Sequence, residues 1–123
     1  MRAAISGTIV VLSLSIGMQA ATAQDAKKGE TVFKQCMACH TLEAGKNKIG
    51  PSLHGVIGRA AASVEGFAYS DAMKSSGLTW DEATLAEYLR APRKIVPGTK
   101  MVFAGIKQDD KLQNLIAYLK AAQ

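Results

Sequence analysis

The motif Cys36-Met37-Ala38-Cys39-His40 constrains this chain of 123 residues more strongly than any other sequence feature. C-x-x-C-H is the attachment signature of c-type haem. The spacing allows two thiols to reach the two vinyl groups of one porphyrin, and the next residue then offers an imidazole to the iron. The chain has no other cysteine. We therefore predict one haem c, attached covalently through Cys36 and Cys39, with His40 as an iron ligand.

Three other interpretations of the motif are weaker. A thioredoxin-like redox pair needs a βαβ setting, and the chain shows no strand pattern of useful length. A structural disulfide would leave the adjacent His40 unexplained. A zinc site would take three ligands from the motif and could use His54 as a fourth. Haem attachment is the hypothesis that accounts for all three motif residues.

Residues 1–23 are typical of a secretory signal peptide. Arg2 precedes an uncharged apolar stretch, and a small-x-small cleavage site ends at Ala23. An uncleaved membrane anchor is the alternative, but the apolar stretch is short for a spanning helix and is diluted by Ser and Gly. We predict cleavage before Gln24, a mature domain over 24–123, export to a bacterial periplasm and no permanent membrane anchor.

The mature chain is predicted to be all-α. Hydrophobic residues make up 48% and charged residues 20%, which is an ordinary globular composition. Residues 41–66 are rich in glycine and show no long period, which indicates a long ordered loop. Periodicity and capping residues predict four helices. The first runs from Asp25 to about Cys36, and the second from Ser70 to near Gly77. The third begins at a Thr79/Glu82 capping box and ends before Pro92, and the last follows a cap at Asp109 or Asp110.

A six-coordinate iron needs a second ligand, and three side chains are candidates. Met73 lies in a short predicted helix and is typical of core packing. Met101 follows the non-helical segment 97–100, which could cross the face of a flat cofactor. His54 lies in the long loop and would give bis-histidine ligation. The residue pattern alone leaves these alternatives open.

The chain resembles the class I c-type cytochromes, specifically the small soluble bacterial members of c2 type that are close to the mitochondrial carrier. The resemblance runs from about Asp25 to Lys120. It rests on the haem motif and on stretches at 49–55, 58–59, 66–72, 78–80, 97–106 and 115–120.

The resemblance implies the cytochrome c fold, with four to five helices and long loops around one covalent haem. It implies Met101 as the ligand opposite His40 and the Pro51 carbonyl as the hydrogen-bond acceptor of the His40 ring. It also implies close approach of Gly29 and Tyr118 where the terminal helices cross. Around the haem it implies that Arg59, Tyr69 and Trp80 hold one propionate, that Thr99 lies near the other, and that the Tyr88 hydroxyl lies near the Met101 sulfur.

An iron with both His40 and Met101 bound has no open position for substrate, so we expect a soluble one-electron carrier and not an enzyme. The resemblance places basic residues around the exposed haem edge, where they would steer acidic redox partners. These residues are Lys48, Arg93, Lys94, Lys100 and Lys107. A bc1-type complex or a dehydrogenase is the expected donor, and an oxidase, reductase or photosynthetic reaction centre the expected acceptor.

Binding of nucleic acid and self-association are not expected. The sequence lacks the stripe of alternating basic and aromatic residues that would suggest nucleic-acid binding. We also expect a monomer. Two alternatives remain open: an enzyme or ligand sensor in which Met101 leaves the iron, and a domain anchored by an unprocessed N-terminus.

Overall fold

The computed structural model describes residues 24–123. The predicted signal peptide, 1–23, lies outside the described residues. Five helices are joined by irregular segments, and the only pairing of extended backbone in this part of the chain is an isolated antiparallel bridge between Ala60 and Thr79. The all-α prediction is therefore confirmed. The helices are α1 (Ala26–Phe33), α2 (Asp71–Ser75), α3 (Glu82–Arg90), α4 (Pro92–Ile95) and α5 (Asp109–Ala121).

Helix α1 begins where the sequence predicts but ends early. The Asp25 carboxylate caps it by accepting from the backbone N–H of Lys28 at 3.0 Å. The helix stops at Phe33 instead of Cys36, and the chain continues through tight turns. In those turns the amides of Cys39 and His40 both donate to the Cys36 carbonyl, at 3.1 and 2.9 Å. This compact turn brings all three motif residues close together.

Two predicted helix caps are wrong. Thr79 does not cap α3, because its backbone is extended in the bridge to Ala60 and the helix begins later. Asp81 is the cap, and its carboxylate accepts from the Thr84 amide at 2.8 Å. At α5 the N-cap is Gln108, which makes no side-chain cap bond, and Asp109 belongs to the first turn. Asp109 still stabilises the helix, because an acidic side chain in the first turn interacts favourably with the positive N-terminal end of the helix dipole.

The crossing of α1 and α5 closes the fold. Gly29 lies against the backbone carbonyl of Asn114, and a Cβ atom at position 29 would lie 2.8 Å from the Tyr118 Cβ. The rings of Phe33 and Tyr118 are 5.3 Å apart. The predicted approach of Gly29 and Tyr118 is therefore confirmed. The inner face of α5 is buried through Leu112, Leu115, Ile116 and Leu119.

Residues 41–69 form the long loop that faces this helical frame. Backbone bonds fold it back on the motif: Gly50 N donates to Cys39 O at 2.8 Å, and Leu53 N donates to Thr41 O at 2.9 Å. Together with α3 and the segment after α4, the loop encloses a central cavity. Within residues 24–123, none of the helices has the length and hydropathy needed to cross a bilayer.

Candidate haem site

The candidate site is a mostly apolar cavity of about 550 Å³ at the centre of the fold. The haem motif lies on one side of it, and the segment that carries Met101 also lines it. Helix α5 contributes Leu115 and Leu119 to the wall, and α3 contributes Leu85. Helical periodicity alone gives no sign that these leucines line a binding cavity.

The His40 ring has its proton position set by the loop. Its Nδ1 lies 2.7 Å from the carbonyl oxygen of Pro51. Because a carbonyl can only accept, Nδ1 carries a proton, and in the neutral ring Nε2 is the nitrogen left without one. Burial lowers the pKa of His40, while the bond to Pro51 acts in the opposite direction. Burial therefore favours the neutral imidazole, whose Nε2 offers an unshared electron pair.

Both motif cysteines line the cavity as free, half-buried thiols. Burial, and secondarily the neighbouring Cys39, raises the pKa of Cys36 to about 11. Before haem is attached, Cys36 is therefore a neutral thiol at physiological pH. Among residues 24–123, no group of three His, Cys, Asp or Glu side chains is placed to hold a metal ion. The zinc interpretation gains no support from this region, because His54 is exposed and does not form a metal-binding group with Cys36, Cys39 and His40.

The three candidates for the second iron ligand lie in different environments. Met101, half-buried in the irregular segment after α4, lines the cavity. Met73, buried in α2, also lines it. His54 is exposed, and the cavity wall contains its neighbour Leu53 instead. The geometry therefore leaves two methionines with access to the cavity and separates His54 from it.

Arg59 is a charged residue in the mostly apolar wall of the cavity. Arg59 donates from Nη1 to the His54 carbonyl at 2.8 Å, but its Nε is buried and has no partner among the described residues. Burial lowers the pKa of Arg59. Tyr69 and the buried Trp80 line the cavity with it, and the Tyr69 hydroxyl accepts from Val64 N at 3.1 Å. An unpaired buried donor of this kind calls for an anionic acceptor.

Tyr88 and Thr99 form a second polar contact in the cavity wall. Their hydroxyl oxygens are 2.9 Å apart, and Thr99 Oγ1 also lies 3.4 Å from the Met101 amide nitrogen. Burial raises the pKa of Tyr88, partly offset by the bond to Thr99. The ring centroids of Tyr88 and Trp80 are 4.9 Å apart, with the ring planes tilted by 38°. Tyr88 therefore contacts the Met101 segment through Thr99.

These features fit a haem c. Two thiols and a neutral imidazole face one cavity, and its wall is mostly apolar. Within residues 24–123 the buried Arg59 Nε has no acceptor, and a propionate would supply one. His40 would bind the iron, and Cys36 and Cys39 would form the thioethers. Arg59 and Thr99, which both line the cavity, would interact with the haem propionates.

The cavity mouth is apolar and bordered by basic residues. Ile49 and Val102 line the cavity and are 78% and 89% exposed, although both are large hydrophobic residues. Lys48 donates to the Met37 carbonyl at 2.7 Å, and Lys100 lies 3.4 Å from the Ala68 carbonyl. Arg93, Lys94 and Lys107 line a separate shallow depression of about 280 Å³. The five predicted docking residues thus fall into two groups.

Comparisons with known proteins agree with this geometry. The family model described as Cytochrome c matches residues 26–123. Cytochrome c2 of Blastochloris viridis is 51% identical over 121 residues, covering 98% of this chain and 93% of that protein. Cytochrome c2 of Rhodoblastus acidophilus is 56% identical over 98 residues, covering 79% of this chain and 92% of that protein. The solved structure of cytochrome cH from Methylobacterium extorquens has a TM-score of 0.76 at 53% identity, covering 79% of this chain and 98% of that one.

Proposed function

Because the chain belongs to the cytochrome c family, we propose that it carries single electrons between redox proteins of a bacterial periplasm. Its cofactor is haem c, bound through Cys36 and Cys39, and its general role is electron transfer. When bound, the haem iron supplies reversible one-electron chemistry between the ferric and ferrous states. The observation that carries the proposal is the convergence of two thiols and a neutral imidazole on one apolar cavity.

His40 and Met101 are the proposed axial ligands. The Pro51 carbonyl keeps the His40 proton on Nδ1. Met101 is favoured over Met73 because its irregular segment is fixed near the cavity by Thr99, whose hydroxyl also meets Tyr88. A thioether ligand favours the reduced state and raises the reduction potential. Two protein ligands leave no open position for substrate, which favours a carrier over an enzyme or sensor.

The polar residues of the wall are proposed to hold the propionates. Arg59 would supply a cation and its buried Nε donor, with Tyr69 and Trp80 as neighbours in the wall. Thr99 would lie near the second propionate. Low polarity elsewhere in the cavity would limit reorganisation between the two oxidation states.

The mouth of the cavity is the proposed docking surface. Ile49 and Val102 would exclude water at the point of contact, and Lys48 and Lys100 would attract an acidic partner. Electrostatic steering of this kind gives fast and salt-sensitive association. A bc1-type complex or dehydrogenase is the proposed donor, and an oxidase, reductase or reaction centre the proposed acceptor.

The ligand assignment is tested on the purified haem-loaded protein with Met101→Ala and the matched control Met73→Ala. The ferric wild type should be low-spin and should show the weak long-wavelength band of methionine sulfur on ferric iron. Met101→Ala should keep covalent haem, lose this band, show a lower reduction potential and bind carbon monoxide in the ferrous form. Met73→Ala should keep the band.

Three results would contradict the proposal in different ways. Loss of the band in Met73→Ala alone would transfer the ligand role to Met73. A low-spin wild type without the band would point to His54 or a lysine. A high-spin wild type that binds carbon monoxide readily would favour an enzyme or ligand sensor.

A further inference from the structure

The peptide group between Pro51 and Ser52 is hydrogen-bonded on both sides. Its carbonyl accepts from His40 Nδ1 at 2.7 Å, and its N–H donates to Asn47 Oδ1 at 2.9 Å. The Asn47 side chain then donates from Nδ2 to the backbone carbonyl of Glu65 at 3.2 Å. These three bonds form one continuous chain from the Glu65 backbone to the His40 ring.

The direction of each bond in this chain is determined. The Ser52 N–H can only donate and the Glu65 carbonyl can only accept, so the Asn47 amide has a single orientation that satisfies both. The Pro51–Ser52 peptide is trans, and its N–H and C=O therefore point in opposite directions. All three donors in the chain accordingly point away from His40 and toward Glu65.

Hydrogen bonds in such a chain polarise one another. When Asn47 accepts from the Ser52 N–H, electron density moves toward the carbonyl oxygen of the same peptide. Pro51 then becomes a stronger acceptor for the Nδ1 proton of His40. A stronger bond at Nδ1 makes Nε2 a better electron donor to a bound metal.

The same contacts hold the peptide in place. Ser52 is buried, and its hydroxyl donates to the Glu43 carbonyl at 2.6 Å. Asn47 is half-buried and joins the part of the long loop that carries Pro51 to the part that carries Glu65. Rotation of the Pro51–Ser52 peptide would break bonds on both sides. Asn47 thus constrains the direction of the Pro51 carbonyl and also increases its strength as a hydrogen-bond acceptor.

We propose that Asn47 is a positioning residue for His40, which it orients and makes more electron-donating through the Pro51–Ser52 peptide. The inference rests on the proposed ligation of iron by His40. Stronger donation from Nε2 favours the ferric state, so removal of the Asn47 acceptor should raise the reduction potential. This is the opposite sign to the loss of Met101.

The experiment uses the haem-loaded protein and the variants Asn47→Leu, Asn47→Asp and Thr41→Val. Asn47→Leu removes the acceptor for Ser52 N–H. Asn47→Asp keeps an acceptor oxygen but loses the donor to Glu65. Thr41→Val is the matched control, because it removes a bond to the Lys46 carbonyl in the same loop without touching the Pro51–Ser52 peptide.

Two quantities are measured: the reduction potential at low and high salt, and the proton chemical shift of the His40 Nδ1–H in the reduced protein. Asn47→Leu should raise the potential and move the proton signal upfield. The expected change is about two- to fivefold in the ferric-to-ferrous ratio at fixed ambient potential. It should be small because Asn47 acts through an intervening peptide, whereas removing a ligand's own hydrogen-bond partner typically costs about 10- to 100-fold in metal affinity or activity. Asn47→Asp should keep the proton downfield, and Thr41→Val should leave both quantities unchanged.

Several results would overturn the proposal. If Asn47→Leu is only less stable, with unchanged potential and proton shift, Asn47 has a structural role alone. If Asn47→Asp behaves like Asn47→Leu, the bond to Glu65 matters and polarisation of the peptide does not. If Asn47→Leu does not fold, Asn47→Ala and Asn47→Asp give the same comparison. Absence of hyperfine-shifted His40 signals in the ferric wild type would instead contradict His40 ligation itself.

Discussion

Gly50 lies directly against the imidazole of His40. A Cβ atom at position 50 would lie 2.7 Å from the ring Nδ1 and 2.8 Å from Nε2, closer than real side-chain atoms approach. The backbone cannot easily retreat, because the Gly50 amide donates to the Cys39 carbonyl at 2.8 Å. The glycine therefore provides the space in which the ring reaches its bond to Pro51.

Replacement of Gly50 by alanine should displace the His40 ring. We expect Gly50→Ala to reduce the yield of haem-loaded protein, to add a high-spin component to its ferric spectrum and to lower the free energy of unfolding by about 1–3 kcal/mol. Gly77→Ala is the control, because it has open space but a φ of +65°. It should cost stability through backbone strain and leave the spectrum unchanged. Identical spectra for both variants would show that the ring is not crowded.

Gly29 should be equally intolerant of a side chain, for a different reason. A Cβ atom there would collide with the Asn114 carbonyl of α5. Gly29→Ala should lower the free energy of unfolding by about 1–3 kcal/mol or more in urea titration. At an exposed helical position, a change from glycine to alanine would instead raise the free energy of unfolding by about 1 kcal/mol, because alanine has the higher helix propensity. A stabilised Gly29→Ala protein would mean that the two helices do not cross so closely, and Glu30→Ala provides the exposed control on α1.

Asp81 should make part of the stability depend on pH. The Thr84 amide hydrogen bond lowers the pKa of Asp81 from its ordinary value of 3.8. Its stabilisation is therefore present above that value and is lost as pH falls through the lowered pKa of the folded state. The difference in urea midpoint between wild type and Asp81→Asn should be largest near neutral pH and should vanish in strong acid.

The control for this pH effect is Glu87→Gln, which removes an exposed carboxylate from the same helix. Asparagine also caps helices, so the expected difference at Asp81 comes from the charge and not from loss of the cap. A midpoint difference for Asp81→Asn that does not change between neutral and acid pH would contradict the assignment of the carboxylate as the charged cap.

Lys100 at the cavity mouth should steer anions to the haem. We expect Lys100→Glu to slow oxidation of the ferrous protein by hexacyanoferrate(III) by about two- to tenfold at low salt. The effect should disappear at about 1 M salt, where the Debye length is only about 3 Å. Lys111→Glu, an exposed position on α5, makes the same change in net charge. Equal slowing by both variants would show that total charge, not the location of Lys100, controls the rate.

The helix boundaries differ in how far they can be predicted from neighbouring residues. The Asp25 cap of α1 was predictable because it depends on residues three positions apart. The Thr79 cap was wrong because that residue pairs with Ala60 across the loop. The end of α1 at Phe33 has a different cause, because the motif residues form their own tight turns directly after it. A partner across the loop thus determined the backbone at Thr79, and turns within the motif determined it after Phe33.

The sequence by itself determined the cofactor chemistry and the helical class. The spacing of Cys36, Cys39 and His40 and the periodicity of α5 are local properties, because each depends on residues within one or two turns of one another. Only the tertiary structure decided that Arg59 Nε is buried without a partner among residues 24–123 and that Asn47 contacts the Pro51–Ser52 peptide. The Asn47 contact uses a backbone amide, which almost every residue carries, and the burial of Arg59 depends on distant segments, so neither leaves a pattern in the order of side chains.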